Sequence, residues 1–311
     1  IPLRLVGSEM CIRDRFSFTT MLMSESLTLA LFSVDSPWMV ILLMGLTAVP
    51  VYVEICGRHG NARMFGLAMG ASTLLMAFGW SFVPVQGKAE TWIALLPLMV
   101  AICIRGGVFP FHLWIPNLFR NATFGSALLM TTPLTGAYAA LRLLLPVAPQ
   151  WALSTLGLAS LFTAIYASGL CLIQKDVRRL FAFLMIGHSM MVLLGLEVLT
   201  HIGLTGAMSV WLAAGLSLGG FGLTLRALES RRGRLTLSNY QGLYEHAPGL
   251  AVCFLLTGLA CVGFPGTIGF IGTEMLIDGA VEAFPHVGPL LVVAATFNGI
   301  AILRAYFLLF T

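Results

Sequence analysis

Few side chains in this sequence can hold or release a proton inside its apolar stretches, and their positions stand out. Arg105, His112, His188, Glu274 and Asp278 each lie within or beside long aliphatic runs. Imidazole titrates near pH ~6.5, which suits proton exchange. A guanidinium stays charged, so Arg105 reads as a fixed cation rather than a relay. Glu274, Asp278 and Glu282 recur every four residues and therefore share one helical face. An ionisable group at membrane depth is a functional candidate by default. Each also has a bland reading: a cation on carbonyls freed by a helix break, an interfacial histidine bonded to backbone, a satisfied buried histidine, and acids that merely reach the outer interface. Glu274 is expected to be the deepest of the three acids.

The elements that must position these groups are apolar helices. The chain has 311 residues, of which 58% are hydrophobic and 10% charged; a soluble domain carries about 25% charged residues. Apolar runs near 20 residues recur, giving an all-α polytopic membrane protein. Ten spans are expected, at Phe16–Val34, Pro37–Cys56, Met64–Val83, Trp92–Phe111, Phe124–Leu145, Trp151–Ile173, Leu180–Leu199, Gly203–Leu228, an interrupted Pro248–Phe284, and Val287–Phe310. Residues 1–15 are charged and irregular and are read as a leader foreign to the fold. The cysteines form no C-x-x-C pair and are expected to be buried or lipid-facing thiols. No phosphate loop, dinucleotide fingerprint, haem or iron–sulfur spacing occurs, so no cofactor is expected and any redox chemistry would belong to a partner. No basic patch with interleaved aromatics suggests nucleic acid.

Loop charge supports the span count. With the first residue on side A, that side collects Arg58, Arg63, Arg120, Lys175, Arg178, Arg179, Arg226, Arg231, Arg232 and Arg234, besides Arg4, Arg13 and Arg15 of the leader. Side B receives Lys88 alone. The positive-inside rule makes side A, with both termini, cytoplasmic. Trp38, Trp80, Trp92 and Trp151 fall near side B ends, as an interfacial belt does. Two spans carry their own breaks. Gly106, Gly107 and Pro110 interrupt the fourth, and Gly263, Pro265 and Gly266 the ninth. Broken helices at matching places in two halves that enter from opposite sides are the pattern of an inverted repeat around an ion path. The halves are residues 16–146 and 147–311, five helices each.

Arg105-Gly-Gly-Val-Phe-Pro-Phe-His-Leu-Trp-Ile-Pro116 resembles the K-x-P-x-x-P-F-H-x-W-L-P signature of the antiporter-like membrane subunits of respiratory complex I (NADH:quinone oxidoreductase) and Mrp-type antiporters. Three further stretches are similar to segments of the same family, closest to its M type. They are Gln174–His188, Gly206–Arg226 with Ala214-Gly-Leu-Ser217, and Gly263-Phe-Pro-Gly-Thr-Ile-Gly-Phe-Ile-Gly-Thr-Glu274. The resemblance covers roughly residues 33–310, and implies that the family's first helices and C-terminal extension are not represented. It implies proton or cation movement along buried lysines, glutamates and histidines, within a larger complex.

Carried over residue by residue, the family's first glutamate falls on Gly45, its broken-helix lysine on Arg105 and its next lysine near Leu134. One histidine is kept as His188, a second falls on Ala214, and an acid is kept, displaced by one, as Glu274. The resemblance therefore implies a non-redox subunit of a proton- or Na⁺-translocating complex in the bacterial cytoplasmic membrane, in contact with lipid and other membrane subunits. Its ion route runs through His188 and the acids beyond the second break, with Arg105 and His112 at the first. Two other readings stay open: a non-conducting scaffold, and the membrane subunit of an inorganic-carbon uptake complex.

Overall fold

The computed structural model describes residues 18–84, 91–198 and 200–311. The leader with Arg4, Arg13 and Arg15, and Lys88 of side B, lie outside the described residues. The described chain is helical, apart from loops and one isolated antiparallel bridge between Asp176 and Thr236.

The helices are α1 (Phe18–Ser33), α2 (Pro37–Gly57), α3 (Arg63–Ser81), α4 (Trp92–Gly106), α5 (Trp114–Asn121), α6 (Phe124–Thr131), α7 (Thr135–Ala139), α8 (Gln150–Ile173), α9 (Val177–Val198), α10 (His201–Arg232), α11 (Pro248–Val262), α12 (Ile268–Ala283) and α13 (Val287–Phe310). Among the described residues seven spans are long and apolar enough to cross a membrane, or eight if the bent pair formed by α4 and residues 111–121 counts as one. The α1, α11 and α12 helices, at 16, 15 and 16 residues, are shorter than that. The expected boundaries agree with the helices to within a few residues.

One span departs from expectation. The run Phe124–Leu145 does not form one continuous α-helix. Pro133 lacks an N–H, and the chain turns there, with Leu134 at φ 49° before α7 begins. A π turn over Ala140–Leu144 follows. The displaced segment lies on the first break: a Cβ built on Gly136 would stand 2.5 Å from Gly106 Cα. Only glycine permits that approach.

The α9 helix forms the centre. Every residue from Leu180 to Val198 is buried, whereas α3 shows Leu67 and Leu74 at its outer surface, 74% and 72% exposed. The α8, α10, α4 and α5 helices surround α9. The arginine-rich loops meet at one end of the bundle. There Arg178 forms an ion pair with Glu229 at 2.7 Å and reaches the carbonyls of Phe119 and Ala122. Arg178 also lines a cavity of about 330 Å³ with Arg120, Lys175, Asp176, Arg179 and Arg234. Trp92 and Trp151 pack together at the opposite end, ring centroids 4.6 Å apart.

Candidate functional site

At the first break, α4 stops at Gly106 because Gly107 adopts φ 80° and Pro110 follows. The chain resumes at Phe111 with its axis turned by about 40°. Buried backbone groups need partners, and side chains supply three of them here. Trp114 Nε1 donates to Ile104 O at 2.7 Å, and Phe109 N donates to Thr163 Oγ1 at 3.0 Å. Ser189 Oγ approaches Gly106 O at 3.4 Å.

Arg105 is therefore not occupied with carbonyls freed by the break. Its Nη2 donates to Thr47 Oγ1 at 2.9 Å and its Nε to Thr135 Oγ1 at 3.1 Å, while Nη1 has no partner. The residue is 3% exposed and lines a cavity of about 20 Å³ with Leu134, Thr135 and Ser189. Leu134 thus faces Arg105. Gly45 does not: its missing Cβ points at Thr73 of α3, and Thr47 is the α2 residue that reaches the guanidinium.

His112 follows the break and is 3% exposed. It stacks on Phe109 at 5.8 Å and meets Tyr166 edge-on at 5.3 Å. Neither ring nitrogen has a hydrogen-bond partner, so the backbone-bonded reading does not describe it.

At the second break, Gly263 and Gly266 take φ 78° and 96°, separating α11 from α12. His188, midway along α9, faces this break. Its Nδ1 lies 2.9 Å from Leu184 O and its Nε2 2.5 Å from Cys261 O. Both neighbours are acceptors. Neutral imidazole donates from one nitrogen only, while imidazolium donates from both. A cavity of about 10 Å³, room for about one water, joins His188 to Ser217, Thr273 and Asn298. Ser217 Oγ and both side-chain polar atoms of Asn298 have no protein partner.

The structure does not bring Glu274 and Asp278 into this cavity. They do share a face with Glu282, and that face is exposed. The opposite face of α12 is occupied by close backbone packing: a Cβ on Gly206 would meet Leu276 N at 2.4 Å, and one on Gly279 would meet Gly203 N at 2.2 Å. All three acids thus stay on the face opposite the glycines that dock on α10, and none reaches the His188 cavity. Glu25 is likewise exposed.

The deepest carboxylate among the described residues is Glu197, 3% exposed, with neither oxygen hydrogen-bonded. It was not among the expected site residues. Its signal was available, as the one charge in the run Leu180–Leu199, but its place near the end of that run resembles a loop residue. Among the described residues no cluster of His, Cys, Asp or Glu could hold a metal ion, and the five described cysteines are free thiols.

A bundle of apolar helices, two of its segments broken beside buried ionisable and amide side chains, defines a polytopic membrane protein. The family is then fixed by sequence: the chain belongs to the NADH:quinone oxidoreductase/Mrp antiporter transmembrane family, whose pattern matches residues 64–298. It is 32% identical over 213 residues to NADH-quinone oxidoreductase subunit 13 of Thermus thermophilus, covering 67% of this chain and 45% of that one. It is 27% identical to NADH-quinone oxidoreductase subunit M of Rickettsia prowazekii, covering 88% and 62%. The chain thus spans about half of the relatives it matches. A chain of respiratory complex I from Thermus thermophilus superposes with a TM-score of 0.86 at 25% identity, covering 97% of this chain and 70% of that one. A chain of the Mrp complex from Dietzia sp. shares the fold, with a TM-score of 0.82 at 18% identity and coverage of 94% and 60%.

Proposed function

We propose that this chain is a membrane subunit of a proton- or cation-translocating complex of the NADH:quinone oxidoreductase/Mrp type, and that ions pass along its buried polar axis. The observation that carries this reading is His188, with both ring nitrogens against carbonyl oxygens, in a small cavity shared with Ser217, Thr273 and Asn298 beside the second break. A histidine so placed can hold a second proton and release it along Asn298, Ser217 and Thr273. Glu274 and Asp278, on the outward face of α12, receive it where another membrane subunit or the headgroup region covers them. Arg105 sets the potential at the first break without moving a proton itself, and His112 stands at the same break as a gate.

In this reading the ten expected spans form two inverted five-helix halves, residues 16–146 and 147–311. The arginine-rich end and both termini lie in the cytoplasm of a bacterial inner membrane. The complete complex, reconstituted in proteoliposomes, provides the test. H188A and E274Q are expected to lower translocation while the partner subunits keep their activity. Unchanged translocation in both variants would overturn the route and favour a non-conducting scaffold.

A further inference from the structure

Glu197 presents a problem that the route through His188 leaves unsolved. It lies in the last turn of α9, where the helix dipole disfavours an anion. It is 3% exposed, both carboxylate oxygens lack partners, and none of the ion pairs among the described residues reaches it. An ionised carboxylate cannot remain in such a place without a proton, a cation or water at its oxygens.

Its surroundings extend toward the first break on two sides. Along α9, Ser189, Leu193 and Glu197 recur every four residues and share a face. Ser189 touches Gly106 O, about 12 Å along the axis from Glu197. On α8, a Cβ at Gly157 would lie 3.3 Å from Glu197 Oε2. Ser160 follows one turn deeper, fully buried and with its hydroxyl unpartnered. Thr163 follows Ser160 and accepts from Phe109 N within the break. The stripe Gly157, Ser160, Thr163 thus spans about 9 Å from the carboxyl to the break. The Cys103 thiol of α4 lies within the field of Glu197.

We propose that Glu197 is a proton-binding site at the tryptophan-rich end of the bundle, which exchanges protons between that surface and the first break through the Ser160 and Thr163 hydroxyls. The proposal rests on the reading that the chain conducts protons. It brings to the first break, whose cation is a non-releasing arginine, a protonatable carboxyl carried by the second half of the chain. The carboxyl holds the proton as a neutral acid. Release passes it to a hydroxyl-bound water and leaves the carboxylate to be reprotonated from the surface.

The test uses the intact complex. Dicyclohexylcarbodiimide, an apolar reagent for protonated carboxyl groups, is applied at neutral pH and its adducts are mapped by mass spectrometry. An adduct on Glu197 that is absent in E197Q is expected. Infrared difference spectra between wild type and E197Q should show a protonated-acid carbonyl band that shifts when the complex is moved into D2O. In proteoliposomes, E197Q is expected to lower proton translocation by about tenfold or more, E197D to retain part of it, and S160A to fall between. An unlabelled Glu197, a band that does not exchange, or full translocation by E197Q would each overturn the proposal. Silence of H188A and E274Q beside a strong effect of E197Q would remove the His188 route and leave this site standing. The converse would remove this site alone.

Discussion

Replacing Thr47 by valine probes how the buried cation at the first break is held. Thr47 Oγ1 accepts from Arg105 Nη2 at 2.9 Å and donates to Met44 O at 2.8 Å. The guanidinium already has one unpartnered nitrogen, Nη1. T47V removes a hydrogen bond to a charged group, worth about 1.5–3 kcal/mol, and orphans a second nitrogen. R105M should behave oppositely. It removes a buried charge without a counter-ion, and the Thr47 hydroxyl keeps its bond to Met44 O, so stability should be unchanged or higher by roughly 1–4 kcal/mol. In the R105M background, T47V should then cost under about 1 kcal/mol, a coupling of about 2 kcal/mol between the two sites. Unfolding in mixed micelles with rising denaturing detergent, followed by tryptophan fluorescence, measures all four proteins. Equal costs of T47V in both backgrounds would refute the argument that Arg105 is held by hydroxyls. So would an R105M protein less stable than T47V. If Arg105 serves the ion path rather than the fold, R105M should lose translocation without losing stability.

Other consequences can be checked with the same material. G136A places a methyl group 2.5 Å from Gly106 Cα and should cost about 1–3 kcal/mol. G70A, a helical glycine with nothing within 4 Å of its Cβ position, should be neutral or stabilising by up to about 1 kcal/mol. G279A should loosen the docking of α12 on α10, since its Cβ would lie 2.2 Å from Gly203 N; faster protease cleavage after the second break would show it. E229A leaves Arg178 without its carboxylate, at side-chain exposures of 17% and 9%, and should destabilise by about 1–3 kcal/mol, as read in the same detergent titration.

The helix boundaries were legible because apolar runs, glycines and prolines act locally. Gly107 ends α4 and Gly263 ends α11, both in the left-handed conformation that glycine favours. Pro133 carried the same kind of local signal, and only its effect on the run around it was missed. Arg105, His112 and His188 were also legible as groups at the breaks, since their types and positions sit in the sequence itself. Their partners were not. Thr47 lies 58 residues from Arg105, and Cys261 lies 73 from His188.

The acids mark the boundary between the two kinds of knowledge. Sequence alone determined that Glu274, Asp278 and Glu282 share a face, because that follows from helical periodicity. It also determined that most of this chain belongs in an apolar medium. Which face of each helix turns inward was decided only by tertiary packing. In water an apolar stripe marks the buried side. In a bilayer the outer surface is as apolar as the core, so hydrophobicity no longer distinguishes them. Glycine-to-backbone contacts between α10 and α12 settle the question here, turning Glu274 outward. The enclosure of α9 from Leu180 to Val198 turns Glu197 inward for the same reason.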